Sequence, residues 1–124
     1  MKPVLYLGDD DASRAAAYLC GVLTWAEIPF GRVSGGESPP EDFDPTQWSA
    51  IIVSDYASSF WRSGQMERVA EAVRNGTGLA MFGGWESFHG LKPDGEYNRT
   101  PIADALPVRI PETDDRRNFA QPCL

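Results

Sequence analysis

The sequence predicts an α/β fold: a doubly wound, flavodoxin-like parallel sheet in three α/β/α layers, with an irregular C-terminal segment. Three observations carry this reading. Short apolar runs alternate with stretches of helical periodicity. The clearest run, Ile51-Ile52-Val53, is unbroken and β-branched, as expected of a strand buried on both faces. Connections are short apart from one acidic loop, and such alternation favours a parallel sheet with helices on both sides.

Pro3 to Leu7 is an apolar run ending in Gly8 and reads as the first strand. Asp9-Asp10-Asp11 then turns the chain and offers an N-cap, with carboxylates suited to the positive end of a helix dipole. A helix is expected over 13–26, with Ala15, Ala16, Leu19, Val22, Leu23 and Ala26 on one face. Residues 29–33 read as a weak second strand. Residues 34–42, rich in Gly, Ser, Pro and acid, lack apolar anchors and are expected to be mobile.

Ala50 to Ser54 forms the third strand. A second helix over 64–75 turns Met66, Val69, Ala70 and Val73 inward, and Gly76 stands at its C-terminal glycine position. Residues 78–82 are the fourth strand, and right-handed crossovers place the helices. Gly83 to Gly90 is a glycine-bounded turn. Thr100 and Pro101 open a short helix through Leu106. Val108 to Ile110, between two prolines, suits only an edge or irregular strand, and 111–124 is polar with no fold signal.

The 124 residues fit one domain, and 42% hydrophobic content supports a packed core. No apolar run approaches a membrane span, and the start of the chain is too quickly acidic for a signal peptide, so a cytoplasmic location is expected. A net charge of −7 argues against nucleic acid. Cys20 and Cys123 make no disulfide framework, and His89 alone leaves too few ligands for structural zinc, so no metal and no cofactor are expected.

In an open α/β sheet, ligands bind beyond the carboxyl ends of the strands. That rule selects Asp9-Asp10-Asp11, Asp55-Tyr56 and Gly83 to Gly90. An acidic pair after strand 1 and an aspartate after strand 3 resemble a phosphoryl-receiving signalling domain. Asp9 and Asp10 would then bind magnesium and Asp55 would take the phosphoryl group. Two departures weigh against it: Gly83-Gly84 replaces the hydroxyl residue after strand 4, and Lys92 is the only lysine beyond Lys2.

The stretch Asn75 to Gly90, with Gly83-Gly84-Trp85-Glu86-Ser87-Phe88-His89-Gly90 at its end, resembles uncharacterised cytoplasmic proteins of the class I glutamine amidotransferase-like superfamily. Leu5-Tyr6-Leu7-Gly8-Asp9, Ser54-Asp55-Tyr56, Gln65-Met66-Glu67-Arg68, Pro111 to Arg116 and Gln121-Pro122-Cys123-Leu124 are similar to further family segments. The resemblance implies a single amidotransferase-like domain over 1–124, in a family whose members continue with further C-terminal strands. It also implies a cysteine in a Gly-x-Cys-x-Gly elbow after strand 4. This chain has Trp85 there, and an indole cannot attack an amide carbon, so glutaminase activity is not expected.

The remaining rim residues define the candidate site. Glu86 is the acid/base candidate, because Trp85 and Phe88 beside it favour the neutral carboxyl. His89 and Asp55 complete the catalytic candidates. Asp9, Asp10, Gly83, Gly84, Trp85 and Ser87 are the ligand-binding candidates, with Gly83 and Gly84 offering backbone N–H groups at a helix start. Each has a plainer alternative: a solvated turn for the aspartates, core packing for Trp85 and Phe88, a local backbone bond for His89. Cys20 reads as a buried small hydrophobe and Cys123 as an exposed thiol with no activating base. An unknown small molecule is the expected partner, bound with or without catalysis. A homodimer is also expected, because the last strand leaves an open edge and Trp48, Phe60 and Trp61 lie in connecting segments.

Overall fold

The computed structural model describes residues 1–91, 95–114 and 120–121. Its strands are β1 (Val4–Gly8), β2 (Phe30–Val33), β3 (Ala50–Ser54) and β4 (Gly78–Phe82). Its helices are α1 (Ala17–Trp25), α2 (Gln65–Arg74) and α3 (Pro101–Ala105). The strands form one parallel sheet in the order β2-β1-β3-β4, as the alternation predicts. Tyr6 pairs with Ile52, and Ile52 with Ala80, so equivalent rows of the three strands share a face.

Leu5, Leu7, Val33, Ile51 and Val53 all point to one face and form the core with Val69 of α2, Ile102 of α3, Tyr56, Trp61 and Tyr97. Met66, Val73, Leu79 and Met81 pack against this cluster. α2 suits that role: Val69, Ala70 and Ala72 are buried while Glu67, Arg68, Glu71 and Arg74 face water. Asn75 ends it and Gly76 follows with φ 106, the left-handed exit its sequence position predicts. Thr100 caps α3 by accepting the Ala103 N–H at 3.2 Å, with Pro101 as its first residue.

Five expectations are corrected. α1 starts at Ala17 rather than 13, because the Asp11 carboxylate takes both the N–H and the hydroxyl of Ser13 at 2.7 Å and holds 12–16 in turns. Leu23 in α1 and Ala16 just before it are buried, Leu19 and Cys20 are half-buried, and Ala15, Val22 and Ala26 are exposed. The 34–42 loop is anchored: Tyr56 Oη donates to the Glu37 carbonyl, Arg62 Nε to Pro39 at 3.1 Å and Gln65 Nε2 to Pro40 at 2.7 Å. Val108–Ile110 forms no strand, since Pro107 and Pro111 bracket it without donors; only Ile110 is buried. Trp61 is buried, and Trp48 and Phe60 pack against the core, so these three residues give no support to self-association. Lys92, Arg116 and Cys123 lie outside the described residues.

Candidate functional site

Parallel strands bring the ends of β1, β3 and β4 to one rim, so Asp9, Asp55 and the Gly83–Gly90 turn lie on the same end of the sheet. Strand exit explains two of these residues. Gly8 has φ 115, and a Cβ there would stand 1.6 Å from the Ser54 carbonyl oxygen. Asp9 and Asp55 both have φ 46, left-handed backbone that aspartate tolerates better than most residues. The aspartates that give the chain its receiver-like look therefore have a backbone role at each strand end.

Around Asp55 the rim is tightly tied. Its Oδ1 accepts the Glu86 N–H at 2.7 Å, and its own N–H donates to Ser87 Oγ at 2.9 Å. A Cβ on Gly84 would come within 2.4 Å of Asp55 Oδ1, so only glycine lets the turn approach this closely. Asp55, Gly84, Glu86 and Ser87 thus form one cluster. Ser87 is 3% exposed and its Oγ accepts the Asp55 backbone N–H. Trp85 is 70% exposed and does not join the core, contrary to the packing alternative, whereas Phe88 packs against it. Phe88 carries the left-handed φ of this turn, 55°, and no helix begins after Gly83-Gly84.

His89 bridges to Glu96 in a short antiparallel pairing, and the Tyr97 N–H donates to the Phe88 carbonyl at 2.7 Å. His89 Nδ1 is buried without a hydrogen-bond partner among the described residues. Beneath the turn, Trp61 Nε1 donates to Tyr97 Oη at 3.0 Å, and Tyr97 Oη donates to the Tyr56 carbonyl at 2.6 Å. The sequence gives no signal for this chain, because Tyr97 comes from a segment far along the chain from the β3–α2 connection that holds Tyr56 and Trp61. It fastens the turn to the segment after β3. Burial foremost pushes the Tyr97 phenol well above its ordinary range and keeps it a donor.

Asp9 belongs to a different part of the rim. Its carboxylate accepts from Tyr6 Oη, whose phenol is held protonated first by burial and then by this bond. The Arg32 guanidinium donates to the Asp9 and Gly8 carbonyls and lies 5.7 Å from the centre of the Tyr6 ring. Asp9, Tyr6, Ser54, Ala15, Tyr18, Leu19, Val22 and Phe82 line an open pocket of about 400 Å³ on the α1 side. This pocket includes neither Asp55 nor the Gly83–Gly90 turn. Asp10 is exposed and stands by Gly35. Among the described residues, no three His, Cys, Asp or Glu side chains converge on a point that could hold a metal.

A four-stranded parallel sheet in this order, with helices packed on it, defines an α/β domain consistent with a flavodoxin-like doubly wound sheet. The family model described as "Putative glutamine amidotransferase" matches residues 47–124, more than half of the chain, and the chain belongs to that family. The match begins just before β3 and takes in α2, β4, the Gly83–Gly90 turn and α3. A search of curated proteins gave no match. No helix among the described residues is long and apolar enough to cross a membrane.

Proposed function

We propose that this chain is an amidotransferase-like protein without glutaminase activity, whose strand-end rim binds a small molecule. The observation that carries the reading is Trp85, an exposed indole where an amidotransferase needs its nucleophilic cysteine. The turn supports it further. Trp85 lacks the left-handed strain expected of a nucleophile elbow, and Ser87, the nearest hydroxyl, is buried and engaged. Cys20 sits half-buried on α1, away from the Asp55 cluster. The rim groups thereby serve binding: exposed Trp85 offers a flat apolar surface, and Asp55 and Glu86 offer carboxyl chemistry beside it.

Purified protein is expected to release no ammonia from glutamine above a blank. Turnover that disappears in Cys20→Ser or Cys123→Ser would overturn the proposal. Small-molecule binding is checked by quenching of Trp85 fluorescence across a metabolite panel, with Trp85→Phe as the control for the signal's origin.

A further inference from the structure

α1 is nine residues long, Ala-Tyr-Leu-Cys-Gly-Val-Leu-Thr-Trp, and contains no charged side chain. A helix that is apolar all round belongs in an interior. Here only one side is covered: Leu23 is buried, while Tyr18 is 84% and Trp25 86% exposed. The sheet face beside it is equally unfinished. Phe82 on edge strand β4 is 49% exposed, and Ile52 and Ala80 on the same face are only half-buried. Val22 is 42% exposed and, with Tyr18 and Phe82, lines the open pocket between helix and sheet.

We propose that this face is where two copies of the chain associate, by antiparallel packing of α1 on its counterpart. Three arguments select a second copy. The chain carries a net charge of −7, so like molecules repel over most of their surface, and a charge-free helix is where they can meet without that penalty. The spacing is self-complementary. A two-fold axis between Gly21 and Val22 sets Tyr18 opposite Trp25 of the partner subunit, and Trp25 opposite the partner's Tyr18, as an isologous contact requires. A Cβ on Gly21 would meet nothing within 4 Å, so this glycine opens a shallow gap at the axis for the partner's Val22. The area is of the right order. At their exposures Tyr18, Trp25 and Phe82 present on the order of 450 Å² of aromatic surface. With Val22, Ile52, Ala80 and a polar rim, the face approaches the ~800 Å² per partner of a stable interface.

This interface differs from pairing at the open edge of β4, and the two are separable. Light scattering at micromolar concentration should give twice the 13.6 kDa of the chain. Trp25→Glu should return the single mass, raising the dissociation constant ~30-fold or more, as loss of a central aromatic anchor does. Val108→Glu, at another exposed apolar residue that lies outside this face, should leave the dimer intact. With Cys20 and Cys123 changed to Ser, Val22→Cys should cross-link to itself under mild oxidation, because it flanks the axis, and Val108→Cys should not. A single mass for the unaltered chain overturns the proposal. So does a dimer that survives Trp25→Glu and fails to cross-link through Val22→Cys. Trp25 is exposed and makes no core contact, so circular dichroism of Trp25→Glu should match that of the parent chain.

Discussion

The two faces of the sheet are made by alternate residues of the same strands, and they are finished differently. On one, Leu5, Leu7, Ile51 and Val53 are sealed by α2, α3 and the Tyr56, Trp61 and Tyr97 side chains. On the other, Tyr6 is buried but Ile52, Ala80 and Phe82 keep solvent contact, and α1 residues stand beside Tyr6 and Phe82. The helices differ in the same sense. α2 has a charged outer side and needs nothing further, whereas α1 is apolar throughout and is left half-covered. The segment that matches the family model holds β3, α2, β4, the rim turn and α3, and so supplies part of both faces. The contrast teaches that burial of one strand residue says little about the next, since the layer above each face is set by distant elements.

The largest test of this contrast compares adjacent residues of β3. Ile51→Ala should cost about 2–5 kcal/mol by leaving a cavity in a sealed core. Ile52→Ala should cost about 1 kcal/mol or less, because its neighbourhood is open and can relax. Both are best measured by denaturant midpoint in the Trp25→Glu background, where the α1 face is free of any second copy. Equal losses would remove the distinction between the faces.

A smaller effect should separate the two buried phenols that make hydrogen bonds on either side. Tyr97→Phe leaves Trp61 Nε1 without its acceptor and the Tyr56 carbonyl without its donor in a dry interior, a loss of about 1–3 kcal/mol. Tyr6→Phe frees an Asp9 carboxylate at the rim that water can reach, so about 0.5–1.5 kcal/mol is expected. Thermal denaturation of the two variants in parallel decides whether Tyr97 or Tyr6 is the stronger fastening.

The smallest effect appears only in alkali. The Tyr6, Tyr56 and Tyr97 phenols are all raised above the ordinary value of 10.0, burial being the largest cause for each. A group whose folded value is raised contributes stability that is whole below its unfolded value and is lost as pH climbs toward the folded one. These phenols therefore leave stability unchanged below about pH 10 and weaken the fold above it. Tyrosinate absorbance should rise for them together with unfolding. Ionisation of Tyr97 near 10.0 in a still-folded chain would contradict its place in the sealed layer.

Much of the fold was legible in the residues. The run at 50–54, the amphipathic pattern of α2, Gly76 after it and the Thr100-Pro101 cap each carry a local physical signal, and each element stands where that signal puts it. The start of α1 was misread because the Asp11 side chain competes for the backbone of Ser13, an effect periodicity does not register. The 34–42 loop looked unanchored because its anchors, Tyr56, Arg62 and Gln65, are supplied from beyond β3. For the candidate site, sequence placed the aspartates and the glycine turn at strand ends. It did not show that Asp55, Gly84, Glu86 and Ser87 cluster while the Asp9 carboxylate turns to Tyr6 instead.

What the sequence alone determined is therefore local: strand and helix identity, the strand-end positions of Asp9 and Asp55, and an indole, Trp85, in the glycine-bounded turn after β4. Backbone propensity and side-chain chemistry act within a few residues, so they can be read along the chain. What only the tertiary structure decided is which of two apolar surfaces is closed. Strand order sends α2 and α3 to the Leu5–Ile51 side and, among the described residues, leaves α1 as the helix on the Tyr6–Ile52 side. Tyr18, Trp25 and Phe82 are apolar residues like any in the core. Their exposure follows from the absence of a second layer above them among the described residues, a long-range fact that no local pattern encodes.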